Sequence, residues 1–331
     1  MGGIHGSTRG GVEEDAKGPE NGKMNLGSAK GGAEVSGVRR SEDLPGPRAE
    51  PLQGRPVYRP ERGPFDVIGD VHGCFLELVE LLHRLGYVRR RGRFVHPEGR
   101  RAVFLGDLTD RGPLNADTIS LVYAMVRGGS ALYVPGNHCW KLYRYLRGAP
   151  VQVQHGLEVT VRELEALPPR RRAMVCKKFQ WLFEQAPPYL VLDEGRLVAA
   201  HAGIREEMIG QVSKRIIRFC LYGDVTGERT PDGFPVRRDW AQDYRGQALI
   251  VYGHTPVREA VLRHNTINID QGCVFGGKLT AFRYPEREVV QVPAYATYDP
   301  RVAFRELTPP AAGPQEEAPP QEEPETRRNS G

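Results

Sequence analysis

Five short apolar stretches, each running directly into a polar turn with glycine beside it, constrain this chain more than any other feature. Residues 65–68 lead into Gly69-Asp70-Val71-His72-Gly73, 102–105 into Gly106-Asp107, and 131–134 into Pro135-Gly136-Asn137-His138. Further on, 197–200 run into His201-Ala202-Gly203, and 248–252 into Gly253-His254-Thr255-Pro256. Short apolar runs bounded by Gly and Pro read as buried strands. Strands at 266–269, 280–283 and 289–292 finish the domain. After Gly73 the period changes. Phe75, Leu78, Val79, Leu82 and Leu85 fall on one helical face, with Gly86 placed to end it. Strand–helix alternation early and strands late predict an α/β fold, a sandwich of two mixed β-sheets flanked by helices. In such folds chemistry gathers at the carboxyl ends of the strands, where all five turns fall.

The turns bring together Asp70, His72, Asp107, Asn137, His201 and His254. One Asp after a strand is usually a turn former, and one His is usually a satisfied structural residue. Five turns repeating the same design are not explained that way. Carboxylate, amide and imidazole donors suit hard and borderline divalent ions such as Mn²⁺, and no thiolate need be invoked. Asp70 and His72, two apart on an extended turn, can face one ion. Asp107 can bridge two ions through its two oxygens, and Asn137, His201 and His254 complete the second. Glycine lets the backbone approach closely there.

With Gly106-Asp107-Leu108-Thr109-Asp110-Arg111-Gly112 and Gly136-Asn137-His138 added, the five motifs resemble the calcineurin-like metallophosphoesterase signature, in its phosphoprotein-phosphatase branch. The resemblance spans about residues 64–298. The stretches 219–227, 239–246 and 268–280 are similar to two groups, the PrpE-type dinucleoside tetraphosphatases and the phosphatase domain of bacterial polynucleotide kinase-phosphatase. It implies that Asp70, His72 and Asp107 bind one metal, and Asp107, Asn137, His201 and His254 the other. It also implies that Arg111 holds phosphate with Asn137 and His138, that His138 is the general acid, and that Asp110 orients it. Asp270 matches a further acidic position at the substrate. The cofactors implied are two divalent ions, Mn²⁺ first, with Fe, Zn, Co or Ni able to use the same donors. Metal-activated water attacks phosphorus, and no covalent phosphoenzyme is required. Cys139 stands where the wider superfamily often has Asp or Glu, and it favours the PrpE-like side. There is no G-x-x-x-x-G-K-[ST], so the resemblance to the repair enzyme is to its phosphatase alone.

The expected activity is hydrolysis of phosphate esters or anhydrides in nucleotide substrates, with PrpE-like cleavage of dinucleoside tetraphosphates first. The alternatives are removal of 3′ or 2′,3′-cyclic phosphates from polynucleotide ends, dephosphorylation of Ser, Thr or Tyr in proteins, and a catalytically inactive binding module. An inactive module would lack ligands, and none is missing. Selection among substrates falls to 148–190 and 205–245. There Arg170–Arg172, Arg205, Arg237 and Arg238 can grip phosphates, and Trp181, Phe183, Tyr189, Tyr222 and Trp240 can stack on bases or pack in the core, Phe183 above all through its helical spacing with Phe179 and Leu182.

A net charge of +5 is too mild to argue for nucleic-acid binding, and the Arg89–Arg91 run reads as a solvated face. Five scattered cysteines without a C-x-x-C pair fit neither a disulfide framework nor a zinc ribbon. No apolar run is long enough to span a bilayer, and the start has no signal-peptide core. A cytoplasmic protein without an obligate protein partner is expected. Residues 1–63 and 299–331 are rich in Gly, Pro and charge, so both are expected to be disordered tails around a catalytic domain at 64–298. A start codon placed too far upstream, with Met24 as the alternative, gives the same composition.

Overall fold

The computed structural model describes residues 50–231 and 235–300. Helix α1 (Glu50–Gln53) precedes β1 (Phe65–Ile68), α2 (Phe75–Arg84) and the hairpin β2 (Val88–Arg90)–β3 (Arg93–Val95). Then come β4 (Arg101–Phe104), α3 (Asn115–Arg127), β5 (Ala131–Tyr133) and three helices, α4 (Asn137–Leu146), α5 (Leu157–Ala166) and α6 (Pro169–Gln185). Strands β6 (Leu190–Leu192) and β7 (Leu197–Ala199) lead to α7 (Lys214–Tyr222) and the hairpin β8 (Val225–Arg229)–β9 (Pro235–Arg237). The described region closes with β10 (Leu249–Tyr252), β11 (Leu262–Arg263), β12 (Thr266–Asn268), β13 (Asp270–Gln271), β14 (Lys278–Tyr284) and β15 (Glu288–Pro293).

Two sheets face each other. One runs β13-β14-β1-β4-β5 with β15 added on β14, and the other runs β11-β12-β10-β7-β6. Strands β1, β4 and β5 are parallel, as are β7, β10 and β12. The parallel strands need crossovers, which the helices supply. Because side chains alternate along a strand, Phe65, Val67 and Val103 point into a layer shared with Leu197, Ala199 and Val251 of the second sheet. Ile68, Ala102 and Phe104 face the other way, onto α2, α3 and α4. Behind the second sheet, Val198 and Ile250 pack on Ile216, Phe219 and Cys220 of α7. The α/β sandwich expected from the strand–helix order is thus the fold observed. Every residue of β1 is buried, including Asp66, whose Oδ1 accepts from Arg100 Nη2 at 2.9 Å. A central strand can carry that charge because its partner is buried with it.

The expected tails meet the described region at both ends. Residues 1–49 and 301–331 lie outside the described residues. Residues 50–63, expected to belong to the tail, pack on the domain. Leu52 and Val57 are buried, and Arg59 N–H and Val191 N–H exchange backbone hydrogen bonds with Val191 O and Val57 O. The two apolar side chains supply burial that the surrounding composition conceals. Asp299, also expected in a tail, is 2% exposed. Among the described residues no helix is long and apolar enough to cross a membrane.

Candidate metal centre

The expected site residues converge where the carboxyl edges of both sheets meet. Asp70 and His72 follow β1, Asp107 follows β4, and Asn137 and His138 open α4 after β5. His201 follows β7 and His254 follows β10, so the second sheet contributes imidazoles to the first sheet's carboxylates. Two hydrogen bonds tie the edges together. His201 Nδ1 lies 3.0 Å from Leu105 O, and His254 N–H reaches Asp70 Oδ2 at 3.2 Å. Five residues here hold left-handed backbone despite having side chains: His72 (φ 46°), Asp107 (39°), Asp110 (77°), Arg111 (71°) and His254 (74°). Such conformations cost about 1–3 kcal/mol each and persist where the surroundings over-determine them.

Lone pairs meet lone pairs in this cluster. A carbonyl oxygen can only accept, so His201 Nδ1 carries the hydrogen and Nε2 presents its lone pair. That Nε2 lies 3.0 Å from Asn137 Oδ1, 3.4 Å from Asp107 Oδ2 and 3.0 Å from His254 Nδ1. His72 is set the same way, with Nδ1 2.8 Å from Thr109 O and Nε2 3.8 Å from Asp107 Oδ2. His254 Nε2 is buried with no partner. The donors of Asp107, His201 and His254 lie within 4.8 Å of one another, as do those of His72, Asp107 and His138. Oxygen and imidazole donors crowded in this way fit divalent cations.

The charge states agree. Burial lowers the pKa of His72 to about 3 and also lowers those of His201 and His254, so all three are neutral imidazoles at neutral pH, the form a metal ligand needs. Burial raises Asp70 well above the usual carboxylate range, and the charges of Asp270 and Asp107 raise it further. Burial likewise raises Asp270 to about 7. Three buried carboxyls so close call for positive charge between them. Glycine keeps the space open. A Cβ on Gly136 would fall 2.1 Å from Asp107 Oδ1, and one on Gly253 would fall 2.3 Å from Asp70 Oδ1.

Beside this cluster, His138 Nδ1 lies 2.7 Å from Asp110 Oδ2. Asp110 is fully buried; its Oδ1 accepts from Thr160 Oγ1, and its N–H donates to Asn115 Oδ1. Arg111 Nη1 contacts Asp299 Oδ2 at 3.0 Å, and its guanidinium lies over the Phe275 ring. Thr160, Asn115 and Asp299 were not singled out in the sequence. A lone Thr in a helix or an Asp in a Pro-flanked terminus carries no local signal of such a role. Asp270, expected at the substrate, is a buried carboxyl that packs with Asp70 around Gly253 and accepts from Gly272 N–H.

A cavity of about 330 Å³ adjoins His254 and is lined in part by Arg237, Arg238, Trp240 and Asn268. Of the expected substrate-gripping groups, Arg237, Arg238 and Trp240 therefore reach the site. Phe183 and Tyr189 are core residues, Arg205 pairs with Asp224, and Arg171 pairs with Asp117. Arg89 and Arg90 lie on the β2–β3 hairpin, which joins the end of α2 to the start of β4, away from the carboxyl edges.

Comparison with known proteins agrees with this geometry. The chain is 57% identical over 236 residues to the bis(5′-nucleosyl)-tetraphosphatase PrpE [asymmetrical] of Geobacillus sp. (strain WCH70), covering 71% of this chain and 96% of that protein. It is 54% identical over 235 residues to the protein of the same name from Bacillus subtilis (strain 168), with 71% and 96% covered. A solved structure described as a candidate diadenosine tetraphosphatase shares the fold with a TM-score of 0.52 at 22% identity, covering 72% of this chain and 97% of its own. The calcineurin-like phosphoesterase family model matches residues 63–284, the span that holds every strand of both sheets except β15, and every candidate ligand. On that match and those identities, the chain belongs to the calcineurin-like phosphoesterases.

Proposed function

We propose that this chain is a binuclear, metal-dependent hydrolase that cleaves dinucleoside tetraphosphates asymmetrically, to a nucleoside triphosphate and a monophosphate. The observation that carries the reading is the meeting of acceptors at His201 Nε2, where the oxygens of Asn137 and Asp107 converge without a hydrogen to share and a ring nitrogen of His254 closes in beside them. The substrate class is supported by the PrpE relatives and by the cavity beside His254. Asp70, His72 and Asp107 would hold one ion, and Asp107, Asn137, His201 and His254 the other, with Mn²⁺ the first choice. Bound there, the ions would supply Lewis acidity that acidifies water and offsets charge on the phosphoryl oxygens.

The protein's own groups do the rest. Arg111 offers a planar fork to the phosphoryl oxygens, with Asp299 and Phe275 fixing its direction. His138, held in one tautomer by Asp110, delivers a proton from Nε2 to the leaving oxygen. Arg237 and Arg238 lie where further phosphates would run, and Trp240 walls the same cavity. Asp270 is assigned to the metal side rather than to phosphate contact, because a carboxylate and a phosphate repel. A cytoplasmic setting is part of this reading, as the place where such nucleotides are met; among the described residues no helix is long and apolar enough to cross a membrane.

Asp299→Asn keeps the shape at Arg111 but removes the charge from their pair. KM for the dinucleotide is expected to rise about tenfold (about 1.4 kcal/mol) with kcat little changed. Steady-state kinetics indistinguishable from wild type would remove Asp299 from the site. The substrate reading itself is tested by product analysis on Mn²⁺-loaded protein, given equimolar diadenosine tetraphosphate and an RNA ending in a 2′,3′-cyclic phosphate. ATP plus AMP with unchanged RNA ends is the expected result. Opened or dephosphorylated RNA ends with the dinucleotide intact would overturn it.

A further inference from the structure

Beneath the first motif lies a second cluster that the reaction does not use. Cys74 caps the start of α2, its side chain making no capping hydrogen bond, and Glu77 follows one turn later on the same face. Cys273, almost 200 residues away in sequence, sits in the turn between β13 and β14. The two sulfurs and a Glu77 carboxylate oxygen all lie within 4.8 Å of one another. All three residues are buried, Cys74 at 0%, Glu77 at 1% and Cys273 at 2% exposure.

Glu77 is the anomaly. Its Oε1 accepts from Tyr295 N–H at 3.0 Å and Tyr298 O–H at 2.7 Å, while Oε2 is buried without any partner. Among the described residues no Lys, Arg or His forms an ion pair with it. A buried carboxylate is normally matched by a cation, because desolvating an uncompensated charge is costly. Here the neighbours on hand are two thiols. We propose that Cys74, Glu77 and Cys273 form a third metal site, separate from the binuclear centre, for a borderline-soft divalent cation of the zinc class. Two sulfurs and one oxygen are donors that zinc accepts and that magnesium and calcium do not favour. The hydrogen bonds from Tyr295 and Tyr298 are the outer support that ligating carboxylates generally have.

The position gives the ion a structural task. It would fasten the start of α2, directly after His72, to the β13–β14 turn, directly after Asp270. Through Glu77 it would also hold residues 295–298, which precede the Asp299 that contacts Arg111.

The test uses the full chain, stripped of metal under reducing conditions and titrated with Co²⁺ alone. The binuclear centre offers only nitrogen and oxygen donors, so a thiolate-to-cobalt charge-transfer band in the near ultraviolet reports sulfur ligation elsewhere. Wild type is expected to show that band and to bind a third equivalent of cobalt. Cys273→Ser should lose the band while keeping its far-ultraviolet circular dichroism. Glu77→Gln should weaken the third equivalent at least tenfold and leave the other two in place. No band at saturating cobalt, with all five cysteines titrating as thiols after denaturation, would overturn the proposal. Loss of two titratable thiols without reductant, with peptide mapping that joins Cys74 to Cys273, would also overturn it. A band that survives in both Cys74→Ser and Cys273→Ser would do the same.

Discussion

Asp107→Ala is expected to abolish turnover and to leave the chain without the two ions proposed for the site. Asp107 stands at the centre of the site, 1% exposed, with Oδ2 3.4 Å from His201 Nε2 and 3.8 Å from His72 Nε2. As the proposed bridge between His72 of the first sheet and His201 of the second, Asp107 would serve both ions, so alanine would take a ligand from each. Its Oδ1 also accepts the His138 N–H at 3.0 Å, so the start of α4 loses an anchor as well. Circular dichroism separates that effect from loss of metal. Asp107→Asn keeps the shape and the His138 contact through its amide oxygen, and should still lose most of its metal because the negative charge is gone. Metal content by mass spectrometry and hydrolysis of diadenosine tetraphosphate are the two measurements. Two ions per chain with normal rates in the alanine variant would remove Asp107 from the bridging position.

His138→Ala tests the other half of the site. Metal content should be unchanged, and hydrolysis should slow by about 10²–10⁴, the usual contribution of a positioned general acid. The loss should shrink on a substrate whose leaving group needs no proton, such as a p-nitrophenyl ester. That contrast distinguishes proton delivery from simple damage to the site. The geometry behind the expectation is the 2.7 Å contact of His138 Nδ1 with Asp110 Oδ2, which leaves Nε2 as the working nitrogen. Asp110 is itself held by Thr160 and Asn115, so the imidazole is oriented from two helices, α5 and α3. A ring nitrogen of His138 also lies within 4.8 Å of the His72 and Asp107 donors. Loss of one ion in the alanine variant would therefore reassign His138 as a ligand.

The contrast between the two residues follows from what each must do. A metal ligand needs a fixed atom type at a fixed place, and the end of a buried strand supplies that place repeatedly. That is why the six proposed ligands were readable as Asp, Asn and His after apolar runs. Asp299 shows the opposite case. It lies beyond the last strand in a stretch whose composition suggests a tail, yet its carboxylate contacts Arg111 at 3.0 Å. Leu52 and Val57 are similar: two apolar residues in a polar stretch become visible as core only once the groove that accepts them exists. The aromatics of 148–190 were open to two readings, and Phe183 and Tyr189 take the core one. Phe183 is packed inside α6, where helical spacing makes core and ligand-facing positions look alike.

By itself the sequence determined the strand ends, the ligand types and, through five ordered motifs, the fold. Local periodicity and turn chemistry are short-range properties, and they are written in neighbouring residues. It took the packing of the whole chain to bring Asn137 and Asp107 of the first sheet onto His201 Nε2 of the second, Asp299 onto Arg111, and Cys74 and Cys273 to Glu77. Each of these joins residues tens to hundreds of positions apart. Their approach is set by sheet order and helix packing, and no local pattern records it.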